Sequence, residues 1–323
     1  MRAAVVDRYG PPERITIREV PTPSPKAGEI RVRVHATTVS RTDAANLRGK
    51  PRLARIATGL RGPKYDVLGV DFAGVVDAVG DGVTRFAVAD RVFGIAPGGY
   101  GAHAEVLCMS AEGAVALLPE RIAFTESVVC EGVWYAMSAL DRLGLEAGHR
   151  ILIYGASGAI GIAALQLAKA RGAEVIAVVD TRSMELMRSL GADAVVDYTA
   201  EDYSSVASDL DFVLDAVGKA SFREARRMLK PDGAFSATDF GPGNENLVHL
   251  LASPFVRTRR FVFPLPFAPR PSVERASELF EAGTLRTVVD RVLPFDDIVE
   301  AYRYVELERK VGVVVLEVVS SSA

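Results

Sequence analysis

Two hydrophobic rhythms divide the chain. Up to about residue 120, short β-rich runs alternate with turn residues: EIRVRVHATTV, then VLGVDFAGVVDAVG, then DRVFGIAPGGYGAHAEVL. Such runs, bounded by Gly, Pro and Asp, predict a compact, mostly β domain. Pro21, Pro23 and Pro25 break the chain ahead of the first of these strands, and the stretch from Lys50 to Lys64 reads as an excursion of mixed helix and loop.

From about Thr125 strand and helix follow each other: ILIY, a helix from Ile160 to Arg171, EVIAVV, a helix ending before Gly191, AVVDY, and DFVLDAVG. Repeated β–α alternation predicts a parallel sheet covered by helices. The helix SFREARRML is expected to stop at a turn of Pro231, Asp232 and Gly233, with GAFSATDF as the next strand. FVFPLPF reads as a further strand, one alternative being the sheet edge. Two further helices, SVERASELFEAG and one starting near Asp296, lead to a last strand, GVVVLEV, which is expected to return to the first domain.

The run from Ile151 to Ala168 holds no charge and imitates a membrane span. Its glycines, Ser157 and Gln166 favour a buried strand, a turn and a buried helix instead. The turn is GASGAIG, and strand, turn, helix and second strand fall within about 30 residues, as in a dinucleotide-binding unit. Gly155 lets the backbone turn tightly, Gly158 lets it approach a pyrophosphate, and Gly161 lets helix and strand pack closely. With Ser157, Ala159 and Ile160 they form a helix start whose free N–H groups and positive dipole end suit phosphates. At the end of the second strand, Asp180 suits the ribose hydroxyls of NAD, whereas Thr181 and Arg182 suit the 2′-phosphate of NADP. The residues alone leave that choice open.

Composition narrows the partners. At 323 residues, 49% hydrophobic and 24% charged, the chain has the material for roughly two globular domains. A net charge of -3 gives no overall attraction for nucleic acid or anionic lipid, and Arg257, Arg259 and Arg260 read as a solvated loop face. A small-molecule substrate is expected, with no nucleic-acid or membrane partner. Cys108 and Cys130 are too few for a disulfide framework, and Asp7 and Arg8 interrupt the opening before a signal-peptide core forms, so a cytoplasmic protein is expected. His35, His103, His149 and His249 are scattered without ligand spacing and read as core or surface residues.

The opening MRAAVVDRYGPPE, VLGVDFAGVVDAVGDGVTRF followed by DRVFG, GASGAIG, RSLGADAVVDY, DFVLDAVG and the tail LRTVVDRVLPFDDIVEAYRYVE together resemble the medium-chain dehydrogenase/reductase superfamily, in its zinc-lacking, quinone oxidoreductase-like branch. The resemblance implies an α/β protein: a GroES-like, mostly β domain over 1–123, completed by the tail 264–323, and a Rossmann domain with a doubly wound parallel sheet over 124–263. It favours NADPH over NADH, because relatives carry a Ser-Thr-Arg loop where this chain has Asp180, Thr181 and Arg182, and their ribose acid matches Val178. It also places Tyr198 near the adenosine, brings Ala216 and Val217 into the coenzyme site, and implies a homodimer through Rossmann edge strands.

Zinc alcohol dehydrogenases of the same superfamily hold their catalytic metal at positions that match Ser40, Val70 and Cys130, and their structural zinc on four close cysteines where this chain has only Cys108. One thiol, a hydroxyl and a valine do not make three strong ligands, so no metal is expected. The implied reaction is hydride transfer from NADPH to a quinone or an α,β-unsaturated carbonyl, the cofactor supplying reactivity and the protein geometry. Candidates to meet or protonate the developing oxyanion are Ser40, Asp43, Tyr65 and Glu131, with Arg41, Asp71, Cys130, Trp134 and Tyr135 around the substrate.

Each has a plainer reading: Ser40 and Asp43 as a capping turn, Tyr65 as an aromatic wedge, Cys130 as a buried, inert thiol. Glu131, Trp134 and Tyr135 stand where relatives commonly carry small or apolar residues. Three alternatives share the same scaffold: a dedicated biosynthetic ene-reductase, an alcohol or carbonyl oxidoreductase, and a non-catalytic NADPH-binding protein.

Overall fold

The structure, a computed structural model, describes residues 1–50, 55–60, 62–239, 241, 245–252, 256, 258–264 and 268–318. Arg257 and residues 265–267 of the FVFPLPF run lie outside them. The chain divides into two units: Met1–Glu131 with Ala268–Ala282 and Thr287–Ala323, and Gly132–Phe267 with Gly283–Arg286.

The first unit is the mostly β one. The predicted strand Glu29–Val39 buries Ile30, Val32, Val34 and Ala36 at every second position and lies inside a seven-stranded sheet. One side of it pairs with Asp71–Val79, followed by Arg91–Ile95 and Val115–Leu117; the other pairs antiparallel with the last strand, Val313–Glu317. Val314 faces Val39 in that ladder, so the residues before the last strand arrive where helix Arg41–Arg48 begins. The third predicted run divides, with Val106–Ser110 forming a separate strand on Glu29–Val39. Three short strands, Arg2–Val5, Thr16–Glu19 and Val289–Pro294, carry too few residues to show a period of their own.

Among the described residues the second unit holds six parallel strands, and numbered in chain order they lie 3-2-1-4-5-6, the doubly wound Rossmann arrangement. The central strand is Arg150–Tyr154, flanked by Glu174–Val179 and Leu210–Asp215. Helix Ala159–Ala170 buries every residue from Gly161 to Ala168, which accounts for the uncharged run without a membrane. No described helix is long and apolar enough to cross one.

One expected turn is corrected. Helix Phe222–Met228 passes directly into a strand, Leu229–Ala237, that contains Pro231, Asp232 and Gly233. Leu229 pairs with Leu210 and the ladder resumes with Ala234 on Phe212, so Lys230 to Gly233 bulge opposite Asp211 alone. A proline without an N–H is tolerated at such a bulge, and Lys230 ties it down through Asp211 at 2.7 Å. Phe261 and Val262 of FVFPLPF lie in the strand Arg260–Val262, which among the described residues pairs only with Leu229–Ala237 and so forms the sheet edge there.

Candidate functional site

In the second unit the glycine turn has the geometry its sequence demands. Gly155 takes φ +73, and a Cβ there would stand 2.6 Å from both methyls of Val217. At Gly161 a Cβ would lie 2.4 Å from the Gly155 carbonyl oxygen and 2.6 Å from Ala156 Cα, both backbone atoms. Gly158 differs: a Cβ would meet nothing nearer than 3.6 Å, an ordinary van der Waals contact that strains nothing in the ligand-free chain. Gly158 caps helix Ala159–Ala170 without any side-chain hydrogen bond. A long helix with an uncapped, glycine-bare start fits a dinucleotide pyrophosphate.

The matching of the ribose acid to Val178 does not hold. Val178 is fully buried inside the sheet, paired with Tyr154 and Val196, and the strand ends at Val179. Asp180 therefore stands at the strand's end. Its oxygens are engaged: Oδ2 accepts from Arg182 Nε and Oδ1 from the Ser183 hydroxyl, each at 2.6 Å. Thr181 donates to Asp197, and Tyr198 is half exposed beside Tyr154.

In the first unit, three acids are buried together. Ser40 and Asp43 form a capping box on helix Arg41–Arg48: the Ser40 hydroxyl accepts from Asp43 N at 3.1 Å, and Asp43 Oδ2 accepts from Ser40 N at 2.8 Å. Asp43 Oδ1 accepts from Gly69 N at 3.2 Å. Asp71 Oδ1 accepts the Glu131 N–H at 2.8 Å. The hydroxyls of Thr42 and Ser40 hydrogen-bond the Glu131 side chain.

Burial pushes all three carboxyls above the ordinary range, and their mutual repulsion raises Asp71 and Glu131 further; Glu131 reaches about 7. Lys310 supplies the opposing positive field, itself lowered to about 8 by burial, with its ammonium donating to the Gly312 carbonyl at 2.6 Å. An acid kept neutral near pH 7 is a ready proton donor.

The capping-turn reading of Ser40 and Asp43 and a place in the acid cluster are thus both realised. Tyr65 lies outside that cluster, 46% exposed and stacked on Tyr100 at 4.9 Å. Arg41 donates to Glu308 at the surface. Trp134 and Tyr135 fall in the second unit on helix Cys130–Leu143, their rings 5.6 Å apart.

Sequence reading missed Thr42 and Lys310. Thr42 sits inside the VSRTD segment, whereas Lys310 joins only through the Val39–Val314 ladder. His103 is buried with Nε2 2.8 Å from the Thr38 carbonyl, so Nε2 carries the proton and Nδ1 accepts from the Tyr302 hydroxyl at 3.3 Å. Burial lowers its pKa to about 4, and the ring stays neutral.

A catalytic zinc does not fit the matching positions. The Ser40 hydroxyl is committed to the cap, Val70 has no donor atom, and burial followed by the Asp71 charge pushes the Cys130 thiol well above its ordinary range, away from the thiolate a metal requires. Under native conditions iodoacetamide is expected to label Cys108 while Cys130 stays unmodified, as read by peptide mass. Labelling of Cys130 at the rate of Cys108 would overturn the inert-thiol assignment.

Two family models match the chain: an alcohol dehydrogenase GroES-like domain over residues 26–120 and a zinc-binding dehydrogenase over residues 190–316. The mouse (Mus musculus) mitochondrial NAD(P)H oxidoreductase RTN4IP1 is 30% identical over 364 aligned residues, which span 99% of this chain and 89% of that protein. The 2-methylene-furan-3-one reductase of Solanum lycopersicum is 28% identical, over 98% of this chain and 79% of its own. Among solved structures, the quinone oxidoreductase of Coxiella burnetii superposes with a TM-score of 0.86 at 25% identity, covering 99% of both chains.

Proposed function

Because the chain belongs to the medium-chain dehydrogenase/reductase superfamily, in its quinone oxidoreductase-like branch, we propose that it is a zinc-independent, NADPH-dependent reductase of quinones or α,β-unsaturated carbonyls. The carrying observation is the buried acid cluster. Next to Cys130, one of the positions where zinc relatives place ligands, Glu131 lies beside the Ser40 and Thr42 hydroxyls with its pKa raised to about 7, so it still carries a proton over part of the neutral range. A neutral acid meets a developing oxyanion without a metal.

When bound, the coenzyme supplies hydride to an electron-poor carbon. The chain's part begins with the glycine turn, whose bare helix start holds the diphosphate. Thr181 and Arg182 take the 2′-phosphate, with Asp180 orienting the guanidinium rather than receiving ribose hydroxyls. Glu131 gives a proton to the substrate, Ser40 and Thr42 hold its carboxyl in place, and Lys310 stabilises the carboxylate left behind. Asp43 acts through Glu131, its charge helping to keep the proton on, and Asp71 holds the Glu131 backbone through its N–H. A cytoplasmic homodimer joined along the edge strand Arg260–Val262 completes the proposal.

Two measurements test it. Metal-stripped protein is expected to oxidise NADPH in the presence of quinones or enones, and silence across such a panel would sink the substrate class. Calorimetric titration is expected to favour NADPH over NADH, and Arg182→Ala to weaken NADPH by about tenfold or more while sparing NADH, a loss on the scale of one charge-assisted contact. An NADH preference in the parent protein would reverse the coenzyme assignment.

A further inference from the structure

Strand Leu210–Asp215 ends in a carboxylate with no exposure to solvent. Asp215 Oδ1 accepts the N–H of Val217 at 3.0 Å and of Gly218 at 2.9 Å, and Oδ2 accepts the N–H of Ala220 at 2.8 Å. Amides of one loop therefore converge on a single side chain, which sets the loop's path where the sheet ladder no longer does. Backbone bonds fix its base: Ala216 N donates to the Tyr154 carbonyl and Thr238 N to the Asp215 carbonyl, each at 3.0 Å. Gly218 takes φ +72, and a Cβ there would stand 2.5 Å from that of Asp239.

The loop's position matters at the glycine turn. Val217 is the residue whose methyls close on Gly155, and it also borders Gly158, its Cγ1 3.9 Å from where a Cβ would be. Holding a carboxylate there is costly: burial outweighs the amide bonds and lifts its pKa to about 6. A buried acid that the fold would stabilise better as a neutral group is retained at a cost in stability.

We propose that Asp215 is a positioning residue for the coenzyme: its carboxylate sets the Ala216–Ala220 loop so that Val217 walls the space over Gly155 and Gly158 into which a dinucleotide is received. The proposal rests on the reading that this turn binds a nicotinamide dinucleotide. It assigns Asp215 no contact with the coenzyme; the side chain acts through Val217.

The test is a double-mutant cycle in full-length protein, with NADPH as the titrant and calorimetric Kd as the readout. Asp215→Asn keeps the shape but turns an NH2 group toward the Ala220 N–H, and is expected to weaken binding by about tenfold or more, the effect of misplacing a packed wall. Val217→Ala alone is expected to weaken it less. If Asp215 works through Val217, the doubly substituted protein binds within about twofold of Asp215→Asn alone.

The ligand-free variants are expected to melt near the parent temperature, which separates a loss of positioning from a general loss of structure. Unchanged binding in Asp215→Asn, or losses that simply multiply in the double variant, would refute the proposal. Should Asp215→Asn fold poorly, the Val217→Ala arm still decides: no change in NADPH affinity there removes the wall and the proposal with it. If the parent protein titrates with neither NADPH nor NADH, the dinucleotide reading itself fails, and this inference falls with it.

Discussion

Glu131→Gln is expected to lower kcat by about 10²- to 10⁴-fold, the range of a lost general acid, while coenzyme affinity stays unchanged. The substitution keeps the side chain's shape and its bonds to Ser40 and Thr42, and removes only the proton that leaves. A second signature separates this from structural damage. The folded pKa of Glu131 lies above the 4.5 of a free side chain, at about 7, so between those values the native state binds more protons than the unfolded chain.

By linkage, stability then falls as pH rises through that window and levels off above it. Removing the charge returns on the order of 2–3 kcal/mol on the alkaline side and little on the acid side. Glu131→Gln should therefore melt higher than the parent protein above neutrality although it is nearly inactive. A variant with full activity, or one destabilised at alkaline pH, would contradict the proton-donor role.

The glycine turn carries the second large effect, and its two halves are expected to fail differently. In Gly161→Ala the new methyl meets backbone at 2.4 and 2.6 Å, so helix or turn must move. Overpacking of that kind costs about 1–3 kcal/mol. Coenzyme binding should fall by about 100-fold or more along with the melting temperature.

Gly158→Ala adds a methyl that meets nothing nearer than 3.6 Å in the free protein. Its melting temperature is expected to match the parent's, while the methyl occupies the space a pyrophosphate needs and binding drops by a comparable factor. Calorimetry beside thermal melts reads both. Undiminished binding in Gly158→Ala would show that no ligand approaches the backbone there.

The Rossmann half was legible because its signals are local. Apolar strands, helix period and a glycine turn each lie within a few residues, and GASGAIG names its own geometry. Pro231–Gly233 misled because a bulge and a turn use the same residues. The coenzyme choice stays open in the sequence because Asp180 stands beside Thr181 and Arg182, and the structure adds that Asp180 accepts from Arg182 and Ser183.

The acid cluster was only half legible. VSRTD announces a capping box, but nothing near Glu131 in sequence points to Asp43, Asp71 or Lys310, which meet it only through the sheet. Burial raises the carboxyl pKa values, and burial is a tertiary property.

The pairing of Val314 with Val39 has a consequence for the order in which the molecule is made. The second unit is nearly one continuous stretch of chain and can fold while the ribosome is still at work. The sheet that includes Glu29–Val39 must instead wait for Val313–Glu317, which is synthesised after the whole of the second unit. Lys310 arrives with that strand. Until then Glu131 lacks its nearby cation, so the acid cluster gains its balancing charge only after the second unit has been made.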